Sequence, residues 1–380
     1  MTATAGDLAD RQALLLLAHM VEPGDRQVGR LVRRWGPVEA VRKLVDASGG
    51  LRQQESLAAR LTGVEPREVE SRATACGARV VTRVDREWPS QLDDLDAAAP
   101  YALWVAGAGD LRLAALRSVA IVGARACSMY GEEVARSWSA ELAAEGWTVV
   151  SGGAFGIDAA AHRGALAAGG VTACILAGGV DVPYPRAHDA LIARIADEGL
   201  VVSESPPGEA VRRQRFLSRN RLISALTRAT VVVEAAERSG TMATAQAAVA
   251  MNRPLLAVPG PVTSPASTGC HRMVRDGEAV LAASIDDVLG LLDLGRDAGA
   301  PAKRSDERDA LSAQERCVLD AMPGRGAVTT ERLAVASGFA VLELLGSLGG
   351  LEATGWVQQD AQGWRLAARS GTRTTRTGRA

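Results

Sequence analysis

Short apolar runs alternate with stretches of helical periodicity between Ser118 and Leu292, and this alternation restricts the fold more than any other feature. The runs cover residues 118–122, 148–150, 171–176, 200–203, 230–233, 255–258 and 278–281. Between them the spacing predicts helices over 132–145, 158–168, 188–197, 218–226, 241–251 and 285–292. Strands that are apolar without alternation need cover on both faces, and intervening helices supply it. The predicted fold class is α/β, with a Rossmann-like, doubly wound parallel sheet at its core. In such sheets ligands bind beyond the carboxyl ends of the strands.

At 380 residues the chain has room for two or three domains. In residues 1–75, Leu14, Leu15, Leu17, Ala18 and Val21, then Val28, Leu31, Val32, Val38, Val41 and Leu44, fall at helical spacing. Pro23-Gly24, Gly36-Pro37 and Gly49-Gly50 punctuate them, so a small helical, SAM-like module is expected. Residues 76–115, with Trp88-Pro89 and Leu103-Trp104-Val105, read as an extended lead-in to the main domain, which runs over 76–294. A polar linker follows over 295–310. Three helical patterns and two short runs over 311–368 predict a winged-helix-like domain. The tail, 369–380, carries Arg369, Arg373, Arg376 and Arg379 without an acid and is predicted to be disordered.

The formal net charge is only -1, so binding to nucleic acid would have to use a local patch. Lys43 and Lys303 are the only lysines among 43 basic residues, so phosphate contacts would be made by guanidinium groups. Five cysteines without CxxC spacing read as reduced thiols and predict no zinc site. The start of the chain shows no signal-peptide pattern, and Leu14 to Leu17 is too short to span a bilayer. A cytoplasmic protein without membrane insertion is expected.

The patch itself is visible as Arg212-Arg213-Gln214-Arg215-Phe216-Leu217-Ser218-Arg219-Asn220-Arg221, with no acid between Glu209 and Glu234. Around it lie the glycine-rich turns Gly123-Ala124-Arg125, Ser151-Gly152-Gly153 and Ser239-Gly240-Thr241. Turns of this kind after strands expose backbone N–H groups to anions. Phe216 lies among charges rather than in an apolar pattern, which favours base stacking over core packing. Arg125 reads as a phosphate ligand, with a surface arginine capping the sheet as the plainer alternative. The first turn is not GxGxxG, no acid follows the second strand, and no Walker A motif occurs. Neither a nicotinamide cofactor nor ATP hydrolysis is predicted, and no cofactor is expected. Asp158 and His162 share a helix face, but no third metal ligand presents itself. Asp158 is expected to cap the helix, with His162 a buried hydrogen-bonding partner. Ser128 and Ser151 lack a base, and Glu204 stands alone, so catalysis is poorly supported.

Taken in order, several segments resemble the DNA-processing protein A family (DprA, also called Smf). They are Val122-Gly123-Ala124-Arg125 with Ser128 and Tyr130-Gly131; Ser151-Gly152-Gly153-Ala154-Phe155-Gly156-Ile157-Asp158 with His162; Gly179-Val180-Asp181 with Tyr184-Pro185; Phe216 with Arg219-Asn220-Arg221; Ser239-Gly240-Thr241; and Val258-Pro259-Gly260 with Gly269. Leu217, Cys270-His271 and Thr241-Met242-Ala243 depart from the family's usual residues. The resemblance implies a homodimeric, non-catalytic protein that binds single-stranded DNA, protects incoming strands and helps load the RecA recombinase in natural transformation. Carried over by position, Arg125, Arg213, Phe216, Arg219, Asn220 and Arg221 would line the DNA groove. Gly123, Gly152, Ser239, Gly240 and Thr241 would contact phosphate. An enzyme or sensor acting on a free nucleotide, of a related Rossmann-like (lysine-decarboxylase-like) fold, remains the alternative.

Overall fold

The computed structural model describes residues 5–46, 65–292, 310–324 and 326–367. The tail and, apart from Ala310, the linker lie outside the described residues, as does the Gly49-Gly50 turn. The chain divides into two compact units, 1–298 and 299–380.

The first unit opens with α1 (Ala5–Met20), α2 (Arg26–Trp35), α3 (Pro37–Val45) and α4 (Pro66–Ala75). Asp25 caps α2 by accepting from the N–H groups of Gln27 and Val28, which would otherwise lack partners. Leu15 and Ala18 of α1 and Val69 and Ala73 of α4 pack on Ala102 and Trp104, so the helices share a core with the sheet that follows.

That sheet has nine strands: β1 (Ala78–Thr82), β2 (Ala102–Ala106), β3 (Ser118–Val122), β4 (Thr148–Ser151), β5 (Thr172–Leu176), β6 (Leu200–Ser203), β7 (Ala229–Val232), β8 (Leu255–Ala257) and β9 (Val280–Leu281). Their order is β1-β2-β6-β5-β4-β3-β7-β8-β9. From β6 to β9 every pairing is parallel. Leu103-Trp104-Val105 is extended, as expected, but the lead-in is not one extended segment, since it also holds helical turns over Ser90–Ala98 and α5 (Leu111–Leu116). It folds into β1 and β2, which pair antiparallel to each other and extend the sheet beyond β6. Ala102, Leu103, Trp104 and Val105 are all fully buried, which explains why this segment becomes a strand and not a surface connection.

Side chains alternate across the pleat. Ala120 and Val122 face one core with Leu222, Ile223 and Ala245, while Val119 and Ile121 face the other with Trp138, Leu142 and Ala161. The helices covering the sheet are α5 (Leu111–Leu116), α6 (Met129–Ala144), α7 (Ile157–Ala167), α8 (Asp189–Glu198), α9 (Arg213–Leu226), α10 (Thr241–Ala250), α11 (Thr268–Arg275) and α12 (Ile285–Leu292). Strand order reverses at β3, which lies between β4 and β7, so the connections leaving β3 and β7 diverge and leave a crevice.

The second unit contains α13 (Ala313–Ala321), α14 (Thr330–Ser337), α15 (Val341–Ala353) and the hairpin β10 (Val357–Asp360) with β11 (Gly363–Leu366). Leu319, Leu333, Leu344, Leu348 and Trp364 form its core. Helix, helix, helix and hairpin is the winged-helix-like order expected from sequence. Among the described residues no single helix is long and apolar enough to cross a membrane.

Candidate nucleic-acid interface

A cleft of about 970 Å³ opens at the crevice. Gly123, Ala124 and Arg125 from the β3–α6 turn line it, with Ser239, Gly240 and Thr241 from the β7–α10 turn. One face of α9 supplies Arg213, Phe216, Leu217 and Asn220, and Ser264, Pro265 and Ala266 close the far rim.

Helix α9 begins at Arg213, five residues earlier than its apolar pattern suggests, so the arginine run is wound on a helix. Residues 213, 216, 217 and 220 follow the i, i+3, i+4, i+7 spacing of a single face, the one on the cleft. Arg215 and Arg219 fall on the buried side. Arg215 pairs with Glu22 at 3.1 Å and Glu209 at 2.7 Å. Arg221 points away from the cleft, donating to both Glu204 oxygens at 2.7 Å and to the Ala98 carbonyl. The structure thus does not bring Arg221 to the cleft, and Glu204 is its partner. Helical geometry divides what the sequence presents as one basic cluster.

Arg125 and Arg213 are exposed, and no ion pair among the described residues engages either. The Arg125 guanidinium lies over the Phe216 ring, 5.2 Å from its centroid. Tyr184 meets the same ring edge-on at 5.5 Å and is 47% exposed. Tyr184 is not among the residues lining the cleft, and its contact with Phe216 was not foreseen from the sequence, although the Tyr184-Pro185 pair was visible as a motif. Nothing local signals that the β5–α8 connection folds back onto α9.

Arg219 reaches the cleft only from beneath. It is 6% exposed, and its Nη1 donates to the carbonyls of Gly152, at 2.7 Å, and Ile175. Burial depresses its pKa, and Asp158 opposes that shift. Asp158 does not cap its helix as expected. Its Oδ2 accepts from the N–H groups of Gly152 and Ala154, so it ties down the preceding loop. Burial raises its pKa, against the pull of Arg219 and those N–H groups. The Gly152 N–H is therefore already engaged, and Gly152 does not line the cleft. A Cβ there would run into the Arg219 guanidinium, which accounts for the glycine by packing alone. His162 is buried, with Nδ1 2.7 Å from the Thr172 hydroxyl, and burial pushes its pKa down to about 3. Among the described residues no group of three potential metal ligands occurs.

The two glycine-rich turns differ in how far their polar groups are already engaged. At the start of α6, the Glu234 carboxylate accepts from the backbone N–H of Ser128 at 2.9 Å and from its hydroxyl at 2.5 Å. A protein carboxylate therefore already occupies the place where a nucleotide's phosphate would sit in a dinucleotide-binding turn. At the start of α10, Gly240 makes no side-chain cap and the Ser239 hydroxyl is buried without a partner. Thr241 donates its hydroxyl to the Gly123 carbonyl at 3.0 Å, joining the two turns. Asn220 donates to the Gly240 carbonyl at 3.2 Å.

Residues 79–293, the sheet and its helices, match the family model described as DNA recombination-mediator protein A. The chain belongs to that family. A DprA-designated protein of Mycobacterium tuberculosis is 42% identical over 372 residues, covering 93% of this chain and 94% of the relative. The crystal structure of DprA from Streptococcus pneumoniae superposes with a TM-score of 0.64 at 30% identity, covering 76% of this chain and 98% of that one. A Helicobacter pylori DprA structure, described for its single-stranded DNA binding mode, aligns with a TM-score of 0.52 at 29% identity. It covers 57% of this chain and 97% of its own. Membership in the DprA family accounts for the order of the turns around the cleft.

Proposed function

We infer that the protein binds single-stranded DNA in the β3–β7 cleft and acts, without catalysis, as a recombination mediator. The observation that carries this is the juxtaposition of Arg125 and Phe216: an exposed guanidinium, in no ion pair among the described residues, over a partly exposed ring at the crevice. The pair offers a strand a phosphate ligand and a base platform at once. Arg213 adds a second free cation, and the Ser239-Gly240-Thr241 turn adds N–H donors at the start of α10. The single-stranded DNA binding of the Helicobacter pylori relative supports the same assignment. RecA is the partner to which the bound strand would be passed during DNA uptake; this step rests on the family resemblance, and no surface is assigned to it.

The homodimer is proposed to form through the β9 edge. Ile285, Val288 and Leu292 are consumed by the domain's own core, whereas Val280 and Leu281 remain 55% and 47% exposed. An apolar edge strand of this kind invites pairing. The winged-helix-like unit is not proposed to read duplex DNA. Its third helix, α15, carries Glu343 and Glu352 and no basic residue.

The test is fluorescence anisotropy with a labelled oligo-dT, competed by duplex of equal length and by mononucleotide, at two salt concentrations. Salt-sensitive preference for the strand is expected. Displacement of the strand by mononucleotide as effectively as by unlabelled strand would replace this function with the nucleotide enzyme or sensor.

A further inference from the structure

We propose that Phe155 is a second base-stacking station, outside the cleft, onto which a single strand passes from Phe216. The proposal rests on the single-strand function above and specifies the path of the strand.

The chain has three phenylalanines and three tyrosines. Tyr101 and Phe339 pack against hydrophobic cores. The other four, Tyr130, Phe155, Tyr184 and Phe216, lie in or just after connections that leave the carboxyl ends of β3 to β6, which are mutually parallel. Tyr130 is tied by its hydroxyl to the Pro259 carbonyl at 2.8 Å. Phe155 has no polar atom to explain its position, yet it is 47% exposed.

Its exposure is not that of a loose loop tip. Gly156 follows with φ +73°, and a Cβ there would run into the carbonyls of Ala124 and Arg125. The β4–α7 connection is therefore pressed against the turn that carries Arg125. On the other side the Phe155 ring packs edge-on against His188, with centroids 4.7 Å apart and planes at 61°. His188 is 5% exposed and is fixed by a 2.9 Å contact between Nδ1 and the Gly153 carbonyl. A half-exposed ring packed against a buried ring has less freedom to lose on binding, which favours stacking on a nucleobase.

One connection serves both stations. Between β5 and α8, Tyr184 backs Phe216 and His188 backs Phe155. The two backing residues are four positions apart in the chain, which limits their Cα separation to about 14 Å. Arg186 lies between them in sequence, is exposed, and makes no ion pair among the described residues. It is placed to take the phosphate that joins the two stacked bases.

The experiment compares wild type with Phe155→Ala, Phe155→Leu and Phe155→Trp on oligo-dT strands of stepped length. Thermal unfolding serves as the folding control; with a half-exposed side chain, all four proteins should unfold at similar temperatures. On the shortest strand that saturates the cleft, F155A should match wild type. On longer strands it should bind roughly tenfold more weakly, as expected for one lost stack. Leucine, which keeps bulk without a π face, should lose affinity with alanine, and tryptophan should keep it. The salt dependence should not change, because no charge is removed. F155A equal to wild type at every length overturns the second station, as does an equal loss at the shortest length. Wild type that binds no strand of any length overturns the proposed function, and this inference with it.

Discussion

Arg125 and Arg219 look interchangeable in the sequence but should respond oppositely to removal. Arg219 is buried, donates to two backbone carbonyls and to Asn220, and supplies the charge that faces buried Asp158. Arg219→Ala leaves the Gly152 carbonyl without this donor and Asp158 without its opposite charge. Removing one member of a buried charge pair costs about 3–5 kcal/mol. For a unit of 298 residues a loss of that order lowers Tm by roughly 5–8 °C. Arg125 is exposed and bonded to no acid, so Arg125→Ala should change stability by less than about 0.5 kcal/mol. It should instead weaken strand binding and lower the slope of log affinity against log salt by about one counterion. Thermal unfolding and anisotropy at two salt concentrations, on both variants, separate the two roles. An Arg219→Ala protein that melts with wild type while losing strand affinity as Arg125→Ala does would refute the assignment. Arg219 would then be a direct phosphate contact.

Phe216→Ala should reduce strand affinity by about 1–3 kcal/mol with little change in salt dependence, measured in the same anisotropy series. Leu281→Asp should yield a monomer in sedimentation; a dimer unchanged by that charge would rule out the β9 edge. His162 should contribute to acid sensitivity. Its folded pKa of about 3 lies below the unfolded value of about 6.5, so its contribution is complete above 6.5 and is lost as pH falls toward 3. The slope from this group is about 1.4 kcal/mol per pH unit within that window. Asp158, with a raised pKa, acts in the opposite sense. Denaturant titrations of wild type and His162→Asn between pH 3 and pH 7 isolate the histidine, and parallel curves for the two would contradict it.

Much of this architecture is written locally. The strands from β3 to β8 fall within a residue or so of their apolar runs, because a strand buried on both faces has no other way to satisfy its side chains. The turns after β3 and β7 are equally legible, since glycine at a strand's carboxyl end serves close backbone approach wherever it occurs. The site was legible only in part. Arg125, Arg213 and Phe216 meet at the cleft, but Arg219 and Arg221, from the same run, do not serve it in the same way. Their fates depend on which helical face each occupies and on Glu204 and Asp158, acids far away in the chain. The same limit hid β1 and β2, whose strand character depends on the open edge of β6. It also hid Tyr184 and Phe155, whose backing rings come from another connection. Local periodicity and turn chemistry act over a few residues and so can be read from sequence. Charge partners, ring stacking and sheet edges are contacts between distant segments, and only the folded chain decides them.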